Sequence, residues 1–165
     1  MTQSIKTFSN FIAILLLTSF LAACATAPTG TTSTSQSQVV GGVYVGTETI
    51  EMLAVNVPDR VFFAYDSYSL AASAQATLSK QAKWLKANPS IAIAVEGHAD
   101  ERGTREYNLA LGDRRASSVK DYLMSQGISS NRISTISYGK ERPVKSGSND
   151  TAWAQNRRSV SVRTN

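Results

Sequence analysis

From residue 57 onward, stretches with the periodicity of a β-strand alternate with stretches that have the periodicity of an α-helix, and this alternation limits the folds open to the chain. The expected order is β-α-β-α-β-α-β. Helices that alternate with strands pack on a sheet, because each buries its apolar side against the other. The sequence therefore predicts an α/β two-layer sandwich with a small mixed sheet, in which the short last connection makes the final strand pair antiparallel.

The strands are predicted from composition and from alternation of apolar and polar residues. They span residues 60–65, 91–96, 133–138 and 158–163. The second of these strands is apolar almost throughout, which is typical of a strand in the middle of a sheet. In the last strand, Val160 and Val162 alternate with polar residues, so we expect both on one face.

The helices are predicted over residues 70–87, over residues 105–126 and in a short segment that ends at residue 156. We expect Ser69 to cap the first helix, which ends before Pro89 because the residue preceding a proline avoids helical geometry. Gly127 is expected to end the second helix in a left-handed conformation. Asp150 or Thr151 is expected to cap the third.

The amino-terminal segment carries an apolar run, Phe11 to Ala23, after a polar start whose only base is Lys6. A bilayer span takes about 20 apolar residues, and this run is shorter. It ends in small residues, Ala22 and Ala23, as a cleavable secretion signal does. Residues 1–23 are therefore predicted to be a signal peptide.

Cys24 is the only cysteine in the chain, so it cannot form an intramolecular disulfide. The residues that end at it, Leu-Ala-Ala-Cys, resemble the lipobox of bacterial lipoproteins. That resemblance implies a diacylglyceryl group on the sulfur of Cys24, cleavage before it, and acylation of the new amino terminus. The next residue is Ala25 and not the aspartate that typically retains lipoproteins of enteric bacteria in the inner membrane, so we expect the outer membrane.

Residues 24–56 are expected to form the lipidated amino terminus and a flexible tether. From Ala25 to about Gln38 the segment is nearly all Thr, Ser, Gln, Ala, Pro and Gly, a composition that buries too little apolar surface to offset the entropy of ordering. The stretch from Val43 to Val45 resembles a strand, and either packing on the domain or a loose conformation is open to it. The folded domain is expected to span residues 57–165.

The densest polar cluster, residues 97–108, directly follows the predicted central strand. Ligands of α/β sheets bind at the carboxyl ends of strands, so this position nominates the cluster as a binding site. Asn108, Leu111 and Arg115 are spaced three and four residues apart and therefore share one stripe of the following helix. Asp100 lies at the mouth of that stripe.

Asp100 and Arg115 together suit a zwitterionic amino-acid group. A carboxylate pairs with an ammonium, and a guanidinium forms a bidentate pair with a carboxylate. In the alternative, the two residues pair with each other or with Glu101, Glu106 and Asp113, and the loop is only a solvated connection. A structure with an open pocket at these residues would favour binding.

Several segments in this region resemble the OmpA-like peptidoglycan-binding domain over about residues 59 to 163. The resembling segments are residues 97–104, 106–108, 111–116, 137–143 and 156–158. The resemblance implies that Asp100 and Arg115 hold meso-diaminopimelate of a peptidoglycan stem peptide. It also implies supporting contacts, which are expected from Asp66, Arg102, Asn108 and Leu111.

The resemblance further implies a function in the cell envelope. We expect an outer-membrane lipoprotein that tethers the membrane to the wall without a cofactor or a metal, and that acts with the Tol system in envelope integrity and cell division. The periplasmic β-propeller protein of that system is the expected protein partner, competing for the same surface. The family usually has Gly-Phe-Asp where this chain has Ala64, Tyr65 and Asp66.

An enzyme that remodels the wall is the alternative function. A Ser-His-Asp triad would have to use His98, the only histidine, and the sequence contains no Gly-x-Ser-x-Gly elbow. One histidine with Asp100 two residues away falls short of a zinc-binding set. Acylation of Cys24 would remove the only thiol. No residue is therefore assigned a catalytic role.

The basic balance of the chain, +5 with a pI near 9.5, raises the question of nucleic-acid binding. Export would separate the protein from nucleic acid, and its basic residues are interspersed with acidic ones. A mild positive charge suits the anionic wall instead. The two tryptophans, Trp84 and Trp153, lie on predicted helices and are expected in the core.

Overall fold

The computed structural model describes residues 39–40, 43–44 and 52–164. The predicted signal peptide, the lipidation site Cys24, the tether from Ala25 to Gln38, and Val45 all lie outside the described residues. Among the helices that are described, none has both the length and the apolar character that a membrane span requires.

The described strands and helices follow the predicted order, with two short hairpins added at the amino-terminal side. The strands are β1 (Val39–Val40), β2 (Val43–Tyr44), β3 (Met52–Ala54), β4 (Val57–Pro58), β5 (Arg60–Phe62), β6 (Ile93–His98), β7 (Ile133–Gly139) and β8 (Arg158–Arg163). The helices are α1 (Ala72–Ala87), α2 (Arg105–Ser125) and α3 (Asp150–Asn156), with a 3-10 turn at Ser130–Arg132.

The main sheet has the strand order β5-β8-β6-β7. Strands β6 and β7 are parallel and are joined by α2, whereas β8 is antiparallel to both of its neighbours. The predicted small mixed sheet is confirmed, and β6 is an interior strand, as its apolar composition predicted. Because β5 and β6 run in the same direction, their carboxyl ends lie at the same edge of the sheet.

Helices α1 and α2 cover one face of this sheet and form the core with it. Buried side chains from both layers include Leu78, Leu85, Ile93, Val95, Val119 and Leu123. Each fully buried side chain of this size contributes about 1.5 to 3 kcal/mol of transfer free energy. This core holds α2 against β6 and so fixes the helix that carries the predicted binding stripe.

The hairpin of β3 and β4 extends the ordered domain toward the amino terminus. Leu53 is only 4% exposed and packs in the core with Val57. Ordered packing therefore begins before Val57, where the sequence placed the start of the domain. Strands β1 and β2 pair with each other, with Val39 opposite Tyr44.

The helix ends differ from the predictions at two caps. Helix α1 begins after Ala71 with no side-chain cap, so the prediction of Ser69 as cap is wrong; the backbone N–H of Ser69 donates instead to Ser67 Oγ at 3.1 Å. Helix α3 is capped by Asn149, whose Oδ1 accepts from Ala152 N at 2.9 Å, so the prediction of Asp150 or Thr151 is wrong by one residue or two.

The other ends were predicted correctly. Helix α1 ends at Ala87, two residues before Pro89. The glycine after α2, Gly127, has the left-handed conformation that the sequence predicted, with φ of 88°.

A pair of glycines lets α2 approach β6 closely. A Cβ atom on Gly97 would lie 1.8 Å from the carbonyl oxygen of Gly112, and one on Gly112 would lie 2.3 Å from Ser137 Oγ. No side chain fits between the helix and the strand at this crossing. Arg115 follows Gly112 by less than one helical turn, so the contact sets how deeply its side chain reaches into the domain.

Candidate binding site

A cavity of about 270 Å³ lies at the edge of the sheet where β5 and β6 end. Its lining residues come from the segments after these two strands and from the first half of α2. They are Tyr65, Asp66, Asp100, Arg102, Gly103, Tyr107, Asn108, Leu111 and Arg115. All six residues that the sequence nominated for binding therefore line one cavity.

Arg115 is fully buried, at 0% exposure, and is held by backbone carbonyl groups. It donates to the carbonyl oxygens of Ser67 at 2.8 Å, His98 at 2.8 Å and Ala64 at 3.1 Å. Burial, followed by the charge of Arg157, lowers the pKa of Arg115 to about 10, so the guanidinium remains charged at neutral pH.

The charge of Arg115 has no acidic counterpart within ion-pair distance in the described part of the chain. A buried charge is costly unless it is paired, and carbonyl dipoles compensate it only in part. A guanidinium has five N–H donors, and the carbonyl bonds use three of them. One N–H group on each outer nitrogen therefore has no acceptor among the described residues, and a carboxylate would match the two in charge and shape.

Asp100 is also buried, and two arginines contact its carboxylate. Arg102 donates to it from Nε at 3.1 Å, from Nη2 at 2.6 Å and from its backbone N at 3.1 Å, and Arg157 Nη1 lies 3.3 Å from Oδ2. Burial alone would raise the pKa of Asp100, but the hydrogen bonds from Arg102 outweigh it and hold this pKa below its ordinary value. Asp100 is thus ionised, and its partners are these two arginines rather than Arg115.

Arg157 is a residue of this site to which the sequence reasoning gave no role. It is buried, and its Nε donates to the carbonyl oxygen of Phe63 at 3.0 Å while its Nη1 contacts Asp100. It therefore links the end of β5 to the carboxylate of the binding loop. The sequence did indicate that this position matters, because residues 156–158 are among the segments that resemble the OmpA-like domain.

Asn108 shapes the loop before α2. Its amide nitrogen donates to the carbonyl oxygens of Arg102 at 2.8 Å and Thr104 at 3.1 Å, which leaves its Oδ1 as the group available to a ligand. Thr104 caps α2 by accepting a hydrogen bond from Tyr107 N at 3.2 Å. These bonds hold the loop in one conformation around the cavity.

Asp66 and Leu111 form the remaining predicted parts of the wall. Asp66 has a left-handed backbone, with φ of 50°, and its carboxylate accepts a hydrogen bond from the hydroxyl of Tyr107. That hydrogen bond is the main cause that raises the pKa of Tyr107. Leu111 is buried and gives the cavity an apolar patch between its charged groups.

Arg102 lies within cation–π distance of two aromatic rings. The carbon of its guanidinium lies 4.1 Å from the ring centre of Tyr65 and 4.2 Å from that of Trp153. Trp153 also donates from Nε1 to Glu101 Oε1 at 2.8 Å. The prediction of a core position is therefore wrong for Trp153, whereas Trp84 does pack against the core.

His98 lies behind the cavity, with 2% of its surface exposed. In the described part of the chain neither ring nitrogen makes a hydrogen bond, and the nearest acid, Glu96, is 3.6 Å away. Burial, with the charges of three arginines, lowers the pKa of His98 to about 3. The imidazole of His98 is therefore neutral at physiological pH.

The cavity as a whole carries a positive balance. Asp66 and Asp100 supply the negative charges, and Arg102, Arg115 and Arg157 supply the positive ones. Within the described residues, no cluster of three or more His, Cys, Asp or Glu side chains is placed to hold a metal. The fold and the site thus define a small α/β domain with a preformed cavity that is lined by charged side chains.

Comparison with known proteins identifies the family of this domain. The profile of the OmpA family matches residues 62–157, which is more than half of the chain. The chain belongs to the OmpA family.

Curated relatives share most of this region. The peptidoglycan-associated lipoprotein of Brucella melitensis is 61% identical over 108 residues, which are 66% of this chain and 64% of that protein. The peptidoglycan-associated lipoprotein of Rhizobium meliloti is 60% identical over 108 residues, which are 66% of this chain and 61% of that protein. The chain thus spans slightly less than two thirds of the length of these relatives. They are named as lipoproteins and not as enzymes.

Solved structures agree with the fold. The peptidoglycan-associated lipoprotein from Burkholderia pseudomallei has a TM-score of 0.63 and 43% sequence identity, and the match covers 64% of this chain and 90% of that one. The carboxy-terminal domain of Helicobacter pylori MotB has a TM-score of 0.61 at 21% identity, over 65% of this chain and 84% of that one. The second likeness concerns the fold alone.

Proposed function

We propose that this chain is an outer-membrane lipoprotein that binds peptidoglycan non-covalently through the meso-diaminopimelate of its stem peptides. Residues 1–23 act as the signal peptide, residues 24–56 as the lipidated amino terminus and a tether that ends in the core-packed strand β3, and residues 57–165 as the binding domain. The single observation that carries the proposal is the buried cation of Arg115, which faces a cavity with two unused N–H groups. The names of the related lipoproteins support peptidoglycan as the ligand, without specifying which part of it is bound.

In the proposed complex each charged group of the diaminopimelate end has a partner. Its carboxylate forms a bidentate pair with Arg115, and its ammonium lies between the carboxylates of Asp66 and Asp100. Leu111 contacts the methylene groups that separate the two ends, and Oδ1 of Asn108 accepts a hydrogen bond from the ammonium. The positive balance of the site suits the additional carboxylates of a stem peptide.

The test is a pull-down of the purified full-length chain with isolated sacculi. Asp100→Ala and Arg115→Ala should each weaken binding by about 2 kcal/mol or more, or about 30-fold, because each leaves a buried charge without its partner. Asp113→Ala and Arg105→Ala are matched controls on exposed positions of α2 and should bind as the unchanged protein does. Undiminished binding by folded variants of both site residues would overturn the proposal.

The choice of diaminopimelate is tested separately with walls of different composition. Lysine has the ammonium of diaminopimelate but lacks its side-chain carboxylate, so Arg115 would lose its partner. We expect sacculi that contain lysine at this position to bind at least about 10-fold more weakly than diaminopimelate sacculi. Equal binding to both would contradict the assignment of Arg115 to the carboxylate.

The Tol-system β-propeller protein is the proposed protein partner, competing with the wall for the surface around the cavity. In this arrangement the lipoprotein would support envelope integrity and cell division. Addition of soluble stem peptide should release a bound propeller protein, because the two ligands share the cavity. Simultaneous binding of both without loss of affinity would contradict a shared surface.

A further inference from the structure

The geometry points to Trp153 as a positioning residue that fixes Arg102, and through it Asp100, in the wall of the binding cavity. This inference rests on the proposed function, since its effect is measured on ligand binding. Trp153 lies on α3, about 50 residues along the chain from the loop that it contacts. It does not line the cavity and is not expected to touch the ligand.

Two contacts from Trp153 converge on neighbouring residues of the loop. The indole ring stacks on the guanidinium of Arg102, and the indole N–H donates to the carboxylate of Glu101. That hydrogen bond is the largest of the causes that lower the pKa of Glu101, so the carboxylate accepts it in the ionised form. Trp153 thus holds the loop at two points. It bonds to the carboxylate of Glu101 and contacts the guanidinium of Arg102.

The position of Arg102 determines how the carboxylate of Asp100 is held, because Arg102 donates hydrogen bonds to both of its oxygens. The side chain of Arg102 is 31% exposed and would sample many conformers without a fixed support. With the rings of Tyr65 and Trp153 both in contact with it, the guanidinium is held where it donates to both oxygens of Asp100. The cavity is therefore organised before a ligand arrives, and preorganisation of this kind raises affinity by lowering the entropy lost on binding.

A purely structural role is the competing explanation, in which Trp153 only attaches α3 to the domain. The two explanations differ in whether the effect of Trp153 passes through Arg102. If it does, a change at Trp153 alters ligand affinity only while Arg102 is present. If it does not, the change has the same effect with and without Arg102, and affinity follows the free energy of unfolding.

A double-mutant cycle separates these cases. The variants are Trp153→Leu, which keeps an apolar side chain but removes the ring face and the N–H, and Trp153→Phe, which restores a ring face. Each is made in the full-length chain and in Arg102→Ala, and binding of a soluble diaminopimelate muropeptide is measured by calorimetry. Trp84→Phe is the matched control, because it changes the other tryptophan, which packs against the core.

We expect Trp153→Leu to weaken muropeptide binding about 5- to 30-fold, a range that matches the loss of a partly desolvated cation–π contact with its supporting hydrogen bond. Trp153→Phe should recover most of the affinity. In Arg102→Ala, Trp153→Leu should change affinity less than about 2-fold, because the contact through which it acts is already absent.

Three outcomes would overturn the inference: unchanged affinity of Trp153→Leu, an equal loss in both backgrounds, and no recovery with Trp153→Phe. Failure of the proposed function is distinguishable from all of these. In that case the unchanged protein itself would not bind the muropeptide, whereas a failed inference leaves that binding intact.

Discussion

Arg115 combines complete burial with a full positive charge, and three carbonyl groups from two separate segments hold it. Two of these carbonyl groups, those of Ala64 and Ser67, follow β5, and the third, that of His98, lies at the end of β6. The planar guanidinium has donors in three directions and can bond all three carbonyl groups, whereas the ammonium of a lysine cannot. The residue therefore stabilises the fold and at the same time presents a cation to the cavity.

A conservative change at Arg115 should be costly for this reason. Arg115→Lys leaves at least one buried carbonyl without a donor, so we expect the free energy of unfolding to fall by about 1 to 3 kcal/mol. Urea unfolding at neutral pH measures the loss, and sacculus binding should fall with it. Arg114→Lys, on the same helix but not fully buried, is the control and should change neither quantity. Stability and binding equal to those of the unchanged protein would contradict the account of Arg115.

His98 makes the stability of the domain depend on pH. Its pKa is lowered from 6.5 to about 3 in the folded domain, mainly by burial. Below pH 6.5 the unfolded chain therefore takes up a proton that the folded domain does not, and stability decreases as the pH falls. The contribution is complete above pH 6.5 and is lost progressively toward pH 3. From pH 6.5 to 5 the loss from this residue is about 2 kcal/mol.

The measurement is urea unfolding of the unchanged protein and of His98→Phe over the same pH range. Phenylalanine keeps a ring against Tyr138, whose ring centre lies 5.5 Å from that of His98, but has no proton to gain. The decline between pH 6.5 and 5 should be smaller in His98→Phe by the amount assigned to the histidine. Identical slopes in the two proteins would contradict the lowered pKa.

At the level of residues, the sequence predicted the parts of the site that lie close together along the chain. Asp100, Asn108, Leu111 and Arg115 all fall within one loop and the helix that follows it, so local spacing grouped them, whereas the roles of Asp66 and Arg102 were implied only by the family resemblance. The two residues that complete the site, at positions 153 and 157, come from a distant segment. Their contacts depend on the position of α3 beside the loop, which no local spacing encodes.

Helix α2 and strand β6 meet through two glycines, and this crossing positions the binding residues of both elements. The distance between the helix and the strand is limited by the backbone of each, because a Cβ on Gly97 would overlap the carbonyl of Gly112. Alanine at a helical glycine ordinarily stabilises a helix by about 1 kcal/mol. At this crossing the requirement for close approach opposes that preference.

Gly112→Ala is therefore expected to lower stability, contrary to helix propensity. The added methyl group would lie 2.3 Å from Ser137 Oγ and 2.9 Å from the carbonyl oxygen of Gly97, so helix or strand must shift. Overpacking of this kind costs about 1 to 3 kcal/mol, and the shift should also move Arg115 and weaken sacculus binding. Thermal unfolding and the pull-down measure the two effects.

Gly97→Ala should be the more damaging change, because its methyl group would meet rigid backbone instead of a side chain. Ser117→Ala, on the same helix, is the control for both glycine variants. A stabilised Gly112→Ala protein with full binding would show that the crossing can relax, and would contradict this account of how Arg115 is positioned.

The periodicity of the sequence predicted the order and type of the helices and strands. The residues at which they begin and end depend on the local backbone conformation, which periodicity does not describe. Ser69 is a good capping residue by type, yet the chain before α1 turns through Ser67 and the helix begins after Ala71. The β3–β4 hairpin was missed because its strands are too short to show alternation. Leu53 becomes a core residue only through its contacts with the rest of the domain.

At the scale of the whole molecule, the proposed function gives the chain two attachments, one at Cys24 and one at the binding cavity. Cys24→Ser should remove the acyl attachment and leave the domain intact, so the protein should leave the membrane fraction and still sediment with sacculi. Cys24→Ser combined with Asp100→Ala should be released from both. Retention of Cys24→Ser in the membrane fraction would contradict lipidation at this residue.

The parallel direction of β5 and β6 has a mechanical consequence for a protein held at two points. In the proposed function, the chain from the membrane anchor reaches β5 at its amino end through the β3–β4 hairpin, while the wall ligand binds at the opposite edge, where β5 and β6 end. Tension between these two attachments would run along the strands. The hydrogen bonds between β5 and β8 would be loaded together in shear instead of opening one after another, so the sheet is oriented to carry force.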